Sequence, residues 1–176
     1  MLSAKKVRVL ILCTGNSARS QMAEGILRKM AGGLAEVHSA GIRPAREIHP
    51  LAQRTMEEKG VDLSGQYPKN VAQYAGQNFD IIITVCDQVF LPHRPASRPA
   101  LRPAVRPADE AKTFAKEHCP FFPGQARRLH WSLDDPAQKE GAEGERLAAF
   151  RKTAAELTSR LREIMPLIEK QSHPQK

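Results

Sequence analysis

The stretch VRVLILCTGNSARSQMAEG, Val7 to Gly25, constrains the chain more than any other. An unbroken β-favouring apolar run, Val7 to Leu12, stops at Cys13 and passes into a short polar loop. It re-emerges as a helical pattern in which Met22, Ala23, Ile26, Leu27 and Met30 share one face. A strand that is apolar at every position is covered on both sides, the habit of parallel sheets. FDIIITV, Phe79 to Val85, repeats it; EVHSAG, ending at Gly41, reads as a strand between the two, and ARRLHWS as a fourth. His49 to Gly60 reads as a helix with Leu51, Ala52, Thr55 and Met56 inward and a glycine stop. From Glu145 onward, Leu147, Phe150, Ala154, Leu157, Leu161, Ile164 and Ile168 step by three and four, which predicts a long amphipathic helix, with Pro166 expected to kink or loosen its last turn. Strand and helix in alternation predict an α/β fold: an open, doubly wound, parallel four-stranded sheet flanked by helices, with ligands at the carboxyl ends of the strands. Cys13 stands at such an end.

The loop after that first strand has the makings of an anion cradle. Gly15 is expected to supply a tight turn with positive φ, and the amides of Thr14, Gly15, Asn16, Ser17, Ala18, Arg19 and Ser20 lie where a helix starts and has no intrahelical acceptors for them. Orphan N–H groups and the helix dipole favour a tetrahedral oxyanion, and Arg19 adds a planar two-pronged donor. A thiol in the same field is stabilised as thiolate, which makes Cys13 a nucleophile aimed at whatever the loop holds. Ser20 can donate a hydroxyl to that thiolate, and Asn16 can brace the loop. The plain alternative is a buried small thiol, a surface arginine and an ordinary turn; a bare Cys-x5-Arg spacing is weak, and the agreement of strand, glycine and helix around it carries the reading.

Composition narrows the setting. A chain of 176 residues with 41% hydrophobic content fits one globular domain, 1–176. Its longest apolar run is too short to cross a bilayer and its first residues lack a secretory pattern, so a cytoplasmic protein with no membrane partner is expected. Three cysteines, Cys13, Cys86 and Cys119, are an odd number that argues against a disulfide framework, and no CxxC pair or His/Cys cluster suggests a metal. The net charge of +8, from 27 basic against 19 acidic residues, draws in anions. Part of it is local: RPASRPALRPAVRPA, residues 94–108, sets Arg94, Arg98, Arg102 and Arg106 before four prolines, inside an Arg/Pro/Ala-rich insertion, 88–116, expected to be a flexible loop. Nucleic acid is not the expected partner of that loop, since no aromatic residue interleaves the arginines to stack on bases.

CTGNSARSQMAEG resembles the active-site loop of the low-molecular-weight protein tyrosine phosphatase superfamily, and its SQMAEG tail is similar to the arsenate reductase branch of the thioredoxin-coupled type. The likeness continues through SAGI, VDLS, FDIIITVCD, CPFFPG and LHWSLDDPA and covers nearly the whole chain except 88–116 and the tail. The resemblance implies that Cys13 attacks arsenate, that Cys86 attacks Cys13 and releases arsenite, and that Cys119 then closes a Cys86–Cys119 disulfide for thioredoxin to reduce. It makes Asp135, in Asp-Asp-Pro, the general acid for the leaving oxygen, with Asp134 solvated; read without the resemblance, Asp-Pro is a turn signal. No tightly bound cofactor is implied, thioredoxin being an external reductant, and phosphate or sulfate compete as oxyanions. A low-molecular-weight tyrosine phosphatase is the alternative, as is an arsenate reductase served by glutaredoxin or an external small thiol.

Three departures from the resembled pattern stand out. The insertion separates Cys86 from Cys119, which stand only a few residues apart in the family; each doubling of a flexible loop costs only about 0.6 kcal/mol of closure, so the pairing is expected to survive. Ala18 stands where many relatives have a further cysteine. Lys69 stands where some relatives have an acidic residue beside a potassium ion, so no potassium site is expected and the ammonium is expected to replace the cation.

Overall fold

The computed structural model describes residues 5–86, 122 and 125–173. Its strands are β1 (Val7–Cys13), β2 (Ala35–Gly41), β3 (Ile81–Thr84) and β4 (Arg127–His130); its α-helices are α1 (Arg19–Ala31), α2 (Pro50–Glu58) and α3 (Glu143–Ser172). The sheet runs β2-β1-β3-β4 and every pairing is parallel. The insertion 88–116 and Cys119 lie outside the described residues.

β1 and β3 are the inner strands because both are apolar enough for two covered faces: Val9, Leu10 and Ile11 are fully buried, as are Ile81, Ile82 and Ile83. Register fixes which face is which. Cys13 pairs with Gly41 and Ile11 with Ser39, and the Ser39 hydroxyl reaches Glu24 of α1, so Val9, Ile11 and Cys13 look toward α1. The other face carries Arg8 and His38 under a ring cluster: the Arg8 guanidinium lies 4.7 Å from the Phe79 centroid, and Phe79 meets Tyr74 and Phe122 edge-on, each at 5.9 Å.

α3 packs along α1 and α2. Its buried stripe of Leu147, Phe150, Ala154, Leu157, Leu161, Ile164 and Ile168 is the one the spacing predicts. Pro166 does not end it; the helix continues to Ser172. Pro166 and Arg162 are both exposed, so the carbonyl that loses its donor can be hydrated while Ile164 and Ile168 hold the turn against the core. Phe150 also stacks on His49 at 4.7 Å, and the His49 side chain caps α2 by accepting from the Leu51 N–H. Among the described residues no helix is long and apolar enough to cross a membrane.

Beneath the loop between β1 and α1 lies a buried polar network. Asn16 Nδ2 donates to Ser20 Oγ (2.9 Å) and Ser39 Oγ (2.8 Å), while its Oδ1 accepts from Gln21 Nε2 (3.0 Å) and the Lys69 N–H (2.7 Å). Ser39 in turn donates to Glu24, whose carboxylate also pairs with Arg28 and, at 3.4 Å, with Lys69 Nζ. Glu24 and Lys69 are 2% and 7% exposed, and the ammonium makes a second bond to the Tyr67 carbonyl at 3.0 Å. A buried carboxylate is tolerable only when its charge is answered.

Two expectations follow from this packing. Phe150→Ala lowers unfolding free energy by about 3–5 kcal/mol in denaturant titration. Lys69→Met, which leaves Glu24 with one cationic partner, costs about 3 kcal/mol by the same measurement, and the parent protein melts at the same temperature in potassium as in sodium chloride.

Candidate active site

The loop from Cys13 to Arg19 is held from outside. The carbonyls of Cys13, Thr14, Gly15 and Ser17 accept from the N–H groups of Ile42 (3.3 Å), Arg43 (3.0 Å), Ala45 (2.8 Å) and His49 (2.9 Å). A trans peptide points the next residue's N–H the opposite way, so the amides of Thr14, Gly15, Asn16 and Ala18 turn inward. The Asn16 N–H accordingly reaches the Cys13 sulfur. Gly41 is needed at this junction: a Cβ there would lie 2.5 Å from the Thr14 carbonyl oxygen.

The turn is made differently from the sequence expectation. Gly15 does not carry positive φ; Asn16 does, at 47°. Asparagine tolerates the left-handed region, and here four side-chain hydrogen bonds hold it there. Ser20, expected to face the thiolate, is fully buried and receives the Asn16 amide instead. The hydroxyl that meets a sulfur is that of Thr14, 3.4 Å from Cys86 Sγ.

A cavity of about 410 Å³ opens over the loop, lined by Cys13, Thr14, Gly15, Ser17, Ala18 and Arg19. Asn16 and Ser20 are not on its wall; they stand behind it. Cys86 completes the floor, and the segment after β4 forms the opposite wall through Ser132, Leu133, Asp134, Asp135, Ala137 and Gln138. Cys86 follows β3, which runs beside β1, so the two sulfurs lie at neighbouring carboxyl ends on one cavity. Both are free thiols, 4% and 2% exposed. Their titrations are pushed apart. The neighbouring Cys13, helped by Thr14 and the Arg19 charge, holds Cys86 down to about 6, against its burial. The nearness of Cys86 and burial push the Cys13 thiol well above its ordinary value, although Arg19 and the Asn16 N–H pull it down.

Arg19 is 8% exposed and occupied without a ligand: Nη1 donates to the Leu133 carbonyl (2.7 Å) and Nη2 pairs with Asp135 Oδ2 (2.9 Å). Its Nε is buried with no hydrogen-bond partner among the described residues. Asp135 uses its other oxygen, Oδ1, to accept from the Ala137 N–H at 3.2 Å, capping a short 3-10 turn at Pro136–Gln138, while Asp134 is exposed on the rim. An incoming oxyanion therefore competes with Asp135 and Leu133 for the guanidinium. The wall residues Ser132, Leu133 and Gln138 and the Arg19–Asp135 pair were not legible in the sequence; the only signal was their place beside the Asp-Pro turn. Among the described residues no three His, Cys, Asp or Glu side chains are grouped to hold a metal ion.

The family model of low molecular weight phosphotyrosine protein phosphatase matches residues 8–174. An arsenate reductase of Halalkalibacterium halodurans is 35% identical over 158 residues, 90% of this chain and 94% of that protein. An arsenate reductase solved in the phosphate binding state superposes with a TM-score of 0.64 at 25% identity, over 92% of this chain and 98% of the other. A thioredoxin-dependent arsenate reductase of Corynebacterium glutamicum does so with a TM-score of 0.61 at 27% identity, over 96% of this chain and 64% of the other. A parallel four-stranded sheet, a cysteine loop running into α1 and a match over nearly the whole chain lead to one conclusion: this chain belongs to the low molecular weight phosphotyrosine protein phosphatase family, with arsenate reductases among its relatives.

Proposed function

We propose that the chain is an arsenate reductase that uses Cys13, Cys86 and Cys119 in turn and is re-reduced by thioredoxin. The observation that carries this is the second sulfur: hydrolysis of a phosphate ester needs Cys13, the loop and Arg19, whereas Cys86, on the same cavity as Cys13, supplies the second thiol that moving electrons requires. The relatives' activity and the thioredoxin dependence of the Corynebacterium protein support the same choice.

The chemistry then runs as follows. Arsenate binds to the inward amides and Arg19, in exchange for the contacts of Arg19 with Asp135 and Leu133. The Cys13 thiolate forms a bond to arsenic and a hydroxyl leaves, protonated through Asp135. The Cys86 thiolate attacks the Cys13 sulfur; the S–As electron pair stays on arsenic, which passes from As(V) to As(III) and departs as arsenite. Cys119 displaces Cys13 from Cys86, and a dithiol reduces the Cys86–Cys119 disulfide. Among the described residues the wall offers Leu133, Ala137 and Gln138 and no ring to stack on an aryl ester, which suits a small inorganic oxyanion.

Arsenite release with thioredoxin, thioredoxin reductase and NADPH is expected to vanish in Cys13→Ser, Cys86→Ser and Cys119→Ser. Hydrolysis of p-nitrophenyl phosphate on the same samples is expected to be weak and to depend on Cys13 alone. Ester hydrolysis that survives Cys86→Ser, with no arsenite from the parent, would make the chain a phosphatase. Turnover retained in Cys119→Ser would replace the third thiol with an external one. Asp135→Asn is expected to slow arsenite formation about a hundredfold in single-turnover measurements without weakening phosphate binding.

A further inference from the structure

Of the four carbonyls drawn outward from the loop, the last belongs to Ser17 and is held by a single residue. The His49 N–H donates to it at 2.9 Å, which turns the Ala18 N–H, the last amide before Arg19, toward the cavity that Ala18 lines. His49 has no polar group of its main chain left over. Its carbonyl accepts from the Ala52 N–H (2.8 Å) and the Gln53 N–H (3.2 Å) as α2 begins. Its ring reaches forward, where Nδ1 accepts from the Leu51 N–H at 3.1 Å, so the hydrogen of the neutral ring sits on Nε2. The ring also stacks on Phe150 of α3 at 4.7 Å. Pro50, at the start of α2, presses the residue before it into extended backbone, and His49 stands at φ −62°, ψ 129°. Helices are ordinarily capped by serine, threonine, aspartate or asparagine. A histidine cap differs from serine, threonine and asparagine in one respect: the acceptor vanishes when the ring takes up a proton.

We propose that His49 is a positioning residue for the oxyanion: by capping α2 through Nδ1 it fixes the main-chain N–H that holds the Ser17 carbonyl outward, and so aims the Ala18 amide into the cradle. It does this from behind the loop, since its side chain is not on the cavity wall. Because an imidazolium has no acceptor, the arrangement exists only with the ring neutral. The charged groups facing the ring are Arg146, in the first turns of α3, and Asp135, from the segment after β4. Burial and the Arg146 charge hold the ring below its ordinary titration range, against the pull of Asp135. With the folded value lowered, the neutral cap is fully present above the ordinary imidazole value and is lost as pH falls through the lowered one. The cradle is therefore expected to loosen on the acid side. A positive charge on the ring would by itself work the other way, since a cation near the cradle attracts an anion. The two effects have opposite signs, and one titration separates them.

The inference rests on the loop being an oxyanion cradle and not on electron transfer, so it is tested on the full chain by binding alone. Sulfate is the probe, because it stays a dianion across the range of about pH 5 to 8 in which histidine titrates. Its affinity is measured calorimetrically, with unfolding free energy from denaturant titration on the same samples. His49→Asn keeps a cap acceptor that does not titrate and is expected to bind sulfate as the parent does at about pH 8. His49→Phe, which keeps a ring against Phe150 but has no acceptor, is expected to bind about fivefold more weakly, as is His49→Ala. Leu161→Ala, a core truncation farther along α3, is expected to lower stability and leave the affinity unchanged. As pH falls to about 5, the parent is expected to lose about fivefold in affinity relative to His49→Asn. The proposal is overturned if His49→Phe binds as tightly as the parent, if His49→Asn binds as weakly as His49→Phe, or if Leu161→Ala weakens binding as much as either. It is also overturned if acid does not weaken the parent relative to His49→Asn. A parent that takes up no sulfate at any pH removes the cradle reading and this inference with it.

Discussion

The orientation of four peptide planes decides what this protein can hold. The carbonyls of Cys13, Thr14, Gly15 and Ser17 are drawn outward by the backbone of residues 42–49, and the amides between them have only the inside left to face. No side chain in the loop could produce that concavity alone. It depends on β2 ending at Gly41, where anything larger than hydrogen would strike the Thr14 carbonyl, and on the chain then folding back along the loop. The sheet has a function here because it places β2 beside β1 in a register that sets Gly41 opposite Cys13.

The site is a set of exchanges among few charges. Arg19 is satisfied by Asp135 and the Leu133 carbonyl when nothing is bound, with its Nε unpartnered among the described residues. A ligand gains the guanidinium only by displacing those partners, so its measured affinity is the difference between two sets of contacts. A tetrahedral anion would match both the fork and the inward amides, whereas a planar carboxylate would match the fork alone and compete there with Asp135.

The sequence was informative where one residue type does one job in one place. The buried runs Val7–Leu12 and Phe79–Val85 identified the sheet because only a parallel strand buries every position, and the three- and four-residue steps after Glu145 identified α3. That Cys13 and Arg19 share one cavity was legible from the loop and the helix that follows, and the place of Asp135 from its neighbours. What was not legible is relational. Asn16 rather than Gly15 takes the left-handed turn because Ser20, Gln21, Ser39 and Lys69 converge on it, and residues up to fifty-three positions away cannot be read as partners from spacing. The same holds for Ser20, which looked like a donor to sulfur and belongs to the framework. Pro166 was read by its usual effect; the helix runs on past it to Ser172, through an exposed turn.

Lys69 gives the loop a property that a bound ion could not. A cation carried on the chain has no dissociation constant: its presence beside Glu24 does not vary with the salt around the protein, and no chelation or dilution removes it. The local geometry of Asn16 is thereby set once, when the chain folds. The same tether makes the arrangement an inherited trait, since exchanging the cation under this loop requires a mutation and not a change of salt.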